Sequence, residues 1–98
     1  MKVVYHPKVN KFIRNLARKE SARIIRVVEL FEESGFELTE KHLKKITKNL
    51  WELKAGRWRL FFGKYDNVAR VVNIILKSTQ KTPKREIDLA LKRLEEIK

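Results

Sequence analysis

Basic side chains set on strand-like runs are where this sequence could do chemistry. Arg57 and Arg59 flank Trp58, Lys54 precedes them across Ala55-Gly56, and Lys77 and Lys81 follow an apolar run at 71–76. An arginine fork binds two phosphate oxygens and stays charged. A lysine crowded by other cations gives up its proton more readily and can act as donor or acceptor. Such groups suit RNA cleavage in which the ribose 2′-hydroxyl attacks the adjacent phosphate. The protein then holds the strand in line, neutralises charge growing on the phosphoryl oxygens and moves protons. Each well-placed group of this kind contributes on the order of 10²–10³ in rate. The same charges could serve binding alone, and residue types do not separate the two cases.

Other chemistries lack their residues. With no cysteine there is no thiolate nucleophile, disulfide or thiolate metal site. No glycine-rich phosphate loop and no metal-ligand spacing occurs, so neither a metal nor another cofactor is expected. His6, before Pro7, reads as a local turn residue. His42 lies among Lys41, Lys44, Lys45 and Lys48, a run open between a solvated loop and a contact to a phosphate backbone.

The elements that must carry these groups follow from the patterning. Strand-like runs at about 49–54, 57–65 and 68–77, broken at Ala55-Gly56 and Asp66-Asn67, read as a three-stranded antiparallel meander. Alternation puts Arg57, Arg59 and Phe61 on one face and Trp58, Leu60 and Phe62 on the other. Trp51, Trp58 and Phe62 read as core. Phe61 shares the arginine face and stays open between core and base stacking, which makes it a candidate RNA contact.

Upstream, Lys2–Tyr5 is an edge-strand candidate stopped by His6-Pro7. Val9, Phe12, Ile13, Leu16 and Ala17 then form a helical stripe. A break near Lys19-Glu20-Ser21 points to a helical hairpin, with one bent helix as the alternative. The second helix is expected after Ser21, through Ile24, Val27, Val28 and Phe31, capped at Ser34-Gly35. Residues 37–48 read as a connector with one or two helical turns capped by Thr39, and 78–82 as a polar loop. Thr82 and Pro83 open a last helix as N-cap and first residue, with Ile87, Ala90, Leu91, Leu94 and Ile97 on its apolar face. The order is β-αα-βββ-α. This is an α+β fold, a small and largely antiparallel twisted sheet packed on an N-terminal helical hairpin and a C-terminal helix.

Length and charge bound the rest. The 98 residues suit a single domain spanning 1–98. The net charge of +12 is concentrated: residues 41–85 hold 13 basic groups against two acidic ones, Glu52 and Asp66, whereas 1–40 hold eight against six. A lysine-rich solvated surface would interleave the signs; concentration favours a face for a polyanion. No apolar run approaches the ~18 residues of a membrane span, and the start lacks signal-peptide features. A cytoplasmic protein with no membrane partner is expected.

Three stretches of the sequence carry a resemblance. Leu50-Trp-Glu-Leu-Lys-Ala-Gly-Arg-Trp-Arg-Leu-Phe-Phe62, followed by Lys77-Ser-Thr-Gln-Lys-Thr-Pro83 and Glu86-Ile-Asp-Leu-Ala90, resembles the phage-derived, HigB-like branch of the RelE/ParE toxin superfamily. It covers about residues 48–94 well and the N-terminal half by element order. The resemblance implies a RelE-like fold and the toxin of a type II toxin–antitoxin pair, a metal-independent endoribonuclease cutting mRNA in the ribosomal A site. It also implies a cognate helix-turn-helix antitoxin, the toxin being monomeric alone or in a heteromeric complex with it. By position, Arg59 matches the strand arginine placed on the scissile phosphate, Lys77 and Lys81 the basic positions after the last strand, and Lys54 and Arg57 the turn that contacts RNA or ribosome. The catalytic tyrosine that some relatives carry in the last helix falls nearest Ile87, and a histidine near the chain end is unmatched. Alternatives are a ParE-like gyrase poison acting by protein contact and a non-toxic nucleic-acid-binding module.

Overall fold

The computed structural model describes residues 1–78 and 81–97. Residues 79 and 80, inside the expected polar loop, lie outside the described residues. Among those described, the strands β1 (Lys2–Tyr5), β2 (Leu43–Thr47), β3 (Leu50–Ala55), β4 (Trp58–Tyr65) and β5 (Val68–Leu76) form one sheet in the order β1-β5-β4-β3-β2. The helices are α1 (Pro7–Arg14), α2 (Arg18–Ser34) and α3 (Lys84–Glu96). All strand pairs are antiparallel except β1 with β5. Among the described residues, no helix is long and apolar enough to cross a membrane.

The meander β3-β4-β5 forms where the turn residues require it. Asp66 and Asn67 both adopt positive φ, 50° and 61°, the pattern of a two-residue type I′ hairpin between Tyr65 and Val68. Gly56 opens the other hairpin at φ 63°. A side chain there would meet Arg23 of α2, whose Cδ lies 2.9 Å from the position of an added Cβ. The β3–β4 turn is thus seated on the helical hairpin.

Each sheet face has its own core. Trp58, Leu60 and Phe62 join Val9, Ile13, Ile24, Val28 and Phe31 on the α1/α2 side, as alternation predicts. On the opposite side, Leu50, Phe61 and Val72 are buried with Ala90 and Leu94 of α3. A bulge makes this possible: Phe61 pairs with Asn73 and Phe62 with Val71, which leaves Val72 as the extra residue. One backbone and one side-chain group at the bulge hold α3, with Arg93 Nη1 donating to the Val72 carbonyl at 2.7 Å and Asn73 Nδ2 to the Glu86 carbonyl at 3.0 Å.

Four expectations need correction. The connector at 37–48 is a 3₁₀ turn at Gly35–Glu37 followed by β2, not helical turns. Thr39 accepts from the Lys41 amide at 3.4 Å in a local turn instead of capping a helix. Only Leu43 and Ile46 are apolar in β2, and lysines on an outer strand deter pairing with other chains. Such a strand looks like a loop in sequence. Helix α2 starts at Arg18, and the Ser21 hydroxyl donates back to the Arg18 carbonyl at 3.1 Å, so the break lies at 15–17. Pro83, not Thr82, occupies the N-cap position of α3, which starts one residue later than expected, and the Thr82 hydroxyl donates to Glu52 Oε1 instead of capping the helix. Phe61 is fully buried, 0% exposed, so it is core and not an RNA contact.

Gly63 shows how tightly α3 sits. A Cβ there would lie 2.8 Å from Leu94 Cδ2 and 2.9 Å from the Asn49 carbonyl oxygen. Gly63→Ala is therefore expected to destabilise the fold by about 1–3 kcal/mol, read by thermal denaturation.

Candidate functional site

The basic residues converge where α3 leaves the sheet uncovered. A cleft of about 290 Å³ is lined by Lys44, Lys45 and Ile46 from β2, Glu52 from β3, Lys77 beyond β5, and Lys81, Thr82 and Ile87 at the start of α3. A neighbouring cavity of about 230 Å³ shares Lys77 and Lys81 and adds Ser78, Arg85 and Glu86. Local structure explains the meeting. Lys77 continues the β5 ladder, its amide donating to the Arg57 carbonyl at 2.8 Å. Lys44 faces Glu52 across the β2–β3 pair. Lys45 lines the cleft's rim, while its Nζ lies 5.4 Å from the ring centroid of Trp51, a residue packed on the α1/α2 side of the sheet.

Glu52 is the cleft's carboxylate and is 1% exposed. Its Oε1 lies 4.0 Å from Lys77 Nζ and accepts from the Thr82 hydroxyl at 3.4 Å. Among the described residues, nothing donates to its Oε2.

Arg59 shares the face of this cleft, because it pairs with Lys54 on one side and Ile75 on the other, two residues before Lys77. It does not line the cleft. Its Nη1 donates to the carbonyls of Gly56 at 2.6 Å and Trp58 at 3.0 Å, curling the guanidinium over the β3–β4 turn, and its buried Nε has no partner among the described residues. No carboxylate pairs with it among the described residues. Lys54 Nζ is tied to the Glu40 carbonyl at 2.9 Å. Arg57, Lys41 and Lys48 are exposed and His42 is half-buried, all outside the cleft lining. The structure thus gathers Lys44, Lys45, Lys77 and Lys81, keeps Arg59 and Lys54 beside them, and sends Phe61 into the core.

The remaining titratable groups are structural. His6 Nδ1 accepts from the Lys8 amide at 3.1 Å and caps α1; burial, with Arg93 and Lys8 nearby, pushes it below the usual histidine range. Burial, with the Glu32 carboxylate near it, pushes Tyr5 up to about 12. Among the described residues, no three His, Asp or Glu side chains are grouped to hold a metal ion.

Residues 11–95 match the family described as phage derived protein Gp49-like. The chain belongs to that family. The Gp49-like domain superposes on a chain of the archaeal RelE–RelB complex from Pyrococcus horikoshii OT3 with a TM-score of 0.63, over 79% of this chain and 94% of that one. At 18% sequence identity the likeness carries the fold, which is RelE-like, as the paired segments around 50–62 and 77–90 imply. No curated protein matches the chain. Two residues of the Gp49-like cleft escape a reading of charge and spacing: Glu52, which looks like a surface acid on a strand, and Thr82, which looks like a helix cap. The signal for Glu52 was its position between Trp51 and Leu53 in the apolar alternation of β3, on the side of the lysines.

Proposed function

We propose that this Gp49-like protein is the toxin of a type II toxin–antitoxin pair and acts as a metal-independent endoribonuclease on mRNA in the ribosomal A site. The observation that supports this reading best is the convergence of Lys44, Lys77 and Lys81 in one cleft, with Lys45 at its rim, next to the sheet face that carries Arg59. A ribose-phosphate chain fits such a face, with cations along its backbone and a proton donor beside the reacting phosphate. In the proposed roles, Arg59 uncurls from the turn to neutralise the scissile phosphate, and Lys77 and Lys81 move protons. Lys41, Lys44, Lys45, Lys48, Lys54, Arg57 and His42 hold the strand or the ribosome. The partner of this class is a helix-turn-helix antitoxin; the RelE–RelB complex supports an assembly with a partner protein. Its place is the cytoplasm, where ribosomes are.

Expression of the protein with and without its antitoxin, followed by mapping of transcript 5′ ends, tests the reading. New ends within open reading frames, suppressed by the antitoxin, are expected; intact transcripts with DNA damage would replace it with gyrase poisoning. Arg59→Ala is expected to lower cleavage by about 10²-fold. Its two bonds to backbone carbonyls make a stability loss of about 1–3 kcal/mol the concurrent expectation. Binding to single-stranded RNA is expected to weaken with salt at a log–log slope of about −0.7 per phosphate, roughly −3 if the four cleft lysines each take one. A flat response in a binding titration would remove the cationic face from the proposal.

A further inference from the structure

We infer that Glu52 is the positioning residue of the cleft, holding the Lys77 ammonium in place from the floor of the sheet. The inference rests on the RNA-cleavage reading for its kinetic consequence, though not for the pairing itself.

The argument starts from what the buried carboxylate costs. Within 41–85, Glu52 and Asp66 are the acidic residues, and Asp66 occupies an exposed turn. Glu52 is 1% exposed, flanked by buried Leu50 and Leu53. Removing a carboxylate from water costs several kcal/mol unless partners offset it, and an apolar residue on this strand would avoid that cost. The partners present are those of the cleft. Lys77, at 14% side-chain exposure, brings its Nζ to 4.0 Å from Oε1, and the Thr82 hydroxyl donates to the same oxygen. Those two residues stand on either side of 79–80, one after β5 and one before α3. A single carboxylate oxygen on β3 therefore faces both the residue that follows β5 and one that precedes α3.

Charge adds the second reason. Lys44, Lys77 and Lys81 line one cleft with Glu52, and cations gathered in one cleft repel one another. A negative charge on the cleft floor offsets that repulsion and draws Lys77 inward. Without it, Lys77 is free to extend into solvent, still cationic yet no longer placed. The role is thus separable from phosphate binding: a carboxylate opposes a polyanion, so its loss should favour RNA while harming chemistry.

Glu52→Gln keeps the shape and removes the charge. On programmed ribosomes, RNA affinity is expected to stay unchanged or tighten while the rate at saturation falls about 10–100-fold. In a Lys77→Met background the same substitution should cost no more than about twofold, because a residue acting through Lys77 has nothing left to position. Without RNA, acylation of Lys77 followed by mass spectrometry should run about threefold or more faster in Glu52→Gln than in the parent protein. Affinity and rate falling together, full additivity with Lys77→Met, or an unchanged labelling rate would each overturn the inference. A parent protein that cleaves no RNA removes the cleavage reading, and the labelling comparison then decides the pairing alone. Should Glu52→Gln fail to fold, Glu52→Asp, which keeps the charge but retracts it by one methylene, carries the same comparisons.

Discussion

Lys77→Met is expected to reduce mRNA cleavage by about 10²–10³-fold while the protein stays folded. Lys77 contributes one backbone hydrogen bond to the β5 ladder, which methionine keeps, and its aliphatic stem packs as methionine would. What is lost is an ammonium 4.0 Å from Glu52 and shared between two adjoining cavities. The substitution leaves Glu52 without that cation, so a stability loss of about 1–3 kcal/mol accompanies it. Transcript-end mapping beside a melting curve separates the two effects. Cleavage at the parent rate in a folded Lys77→Met protein would remove Lys77 from the catalytic set, and a matching test of Lys81 would become the deciding one.

The largest stability effect is expected at Phe61. The ring is 0% exposed and buried with Leu50, Val72, Ala90 and Leu94. Phe61→Ala deletes most of it from a cluster that α3 closes, and cavities of this kind cost about 3–5 kcal/mol. That is a large share of the 5–15 kcal/mol typical of a folded domain, and in a chain this size it corresponds to a fall in Tm of roughly 12 °C or more. A base-stacking role makes the opposite prediction, unchanged melting with weaker RNA binding. Calorimetry on Phe61→Ala and on the milder Phe61→Leu distinguishes them.

Phe61 also shows where the sequence is legible and where it is not. Alternation correctly set it on the face opposite Trp58, Leu60 and Phe62. Period two says which face a residue takes and nothing about what covers that face, and α3 covers it here. The meander, its turns at Gly56 and Asp66-Asn67, and the apolar stripes of α1 and α2 were readable because each rests on local chemistry. Strand β2 was not, since two apolar residues among lysines carry no periodicity and its pairing with β3 is decided by tertiary contact. At the site, the charge excess of 41–85 located the basic surface, while the convergence of Lys44 and Lys45 with Lys77 and Lys81 depends on β2 being a strand. Arg59 illustrates the other limit: its face was readable, its curl over the Gly56 carbonyl was not.

The parallel pairing of β1 with β5 joins Lys2 to Val68 and Tyr5 to Val71. Some 66 residues separate those partners, so the outermost strand on that side waits for all the elements up to β5 before it finds its neighbour. Loop closure over such a span is slow, which places the protein among the later-folding small domains. On the ribosome, a nascent chain shorter than about 70 residues has no site for its first strand. Products truncated before β5 are consequently expected to be open and protease-sensitive, because the sheet is completed only when β5 is present.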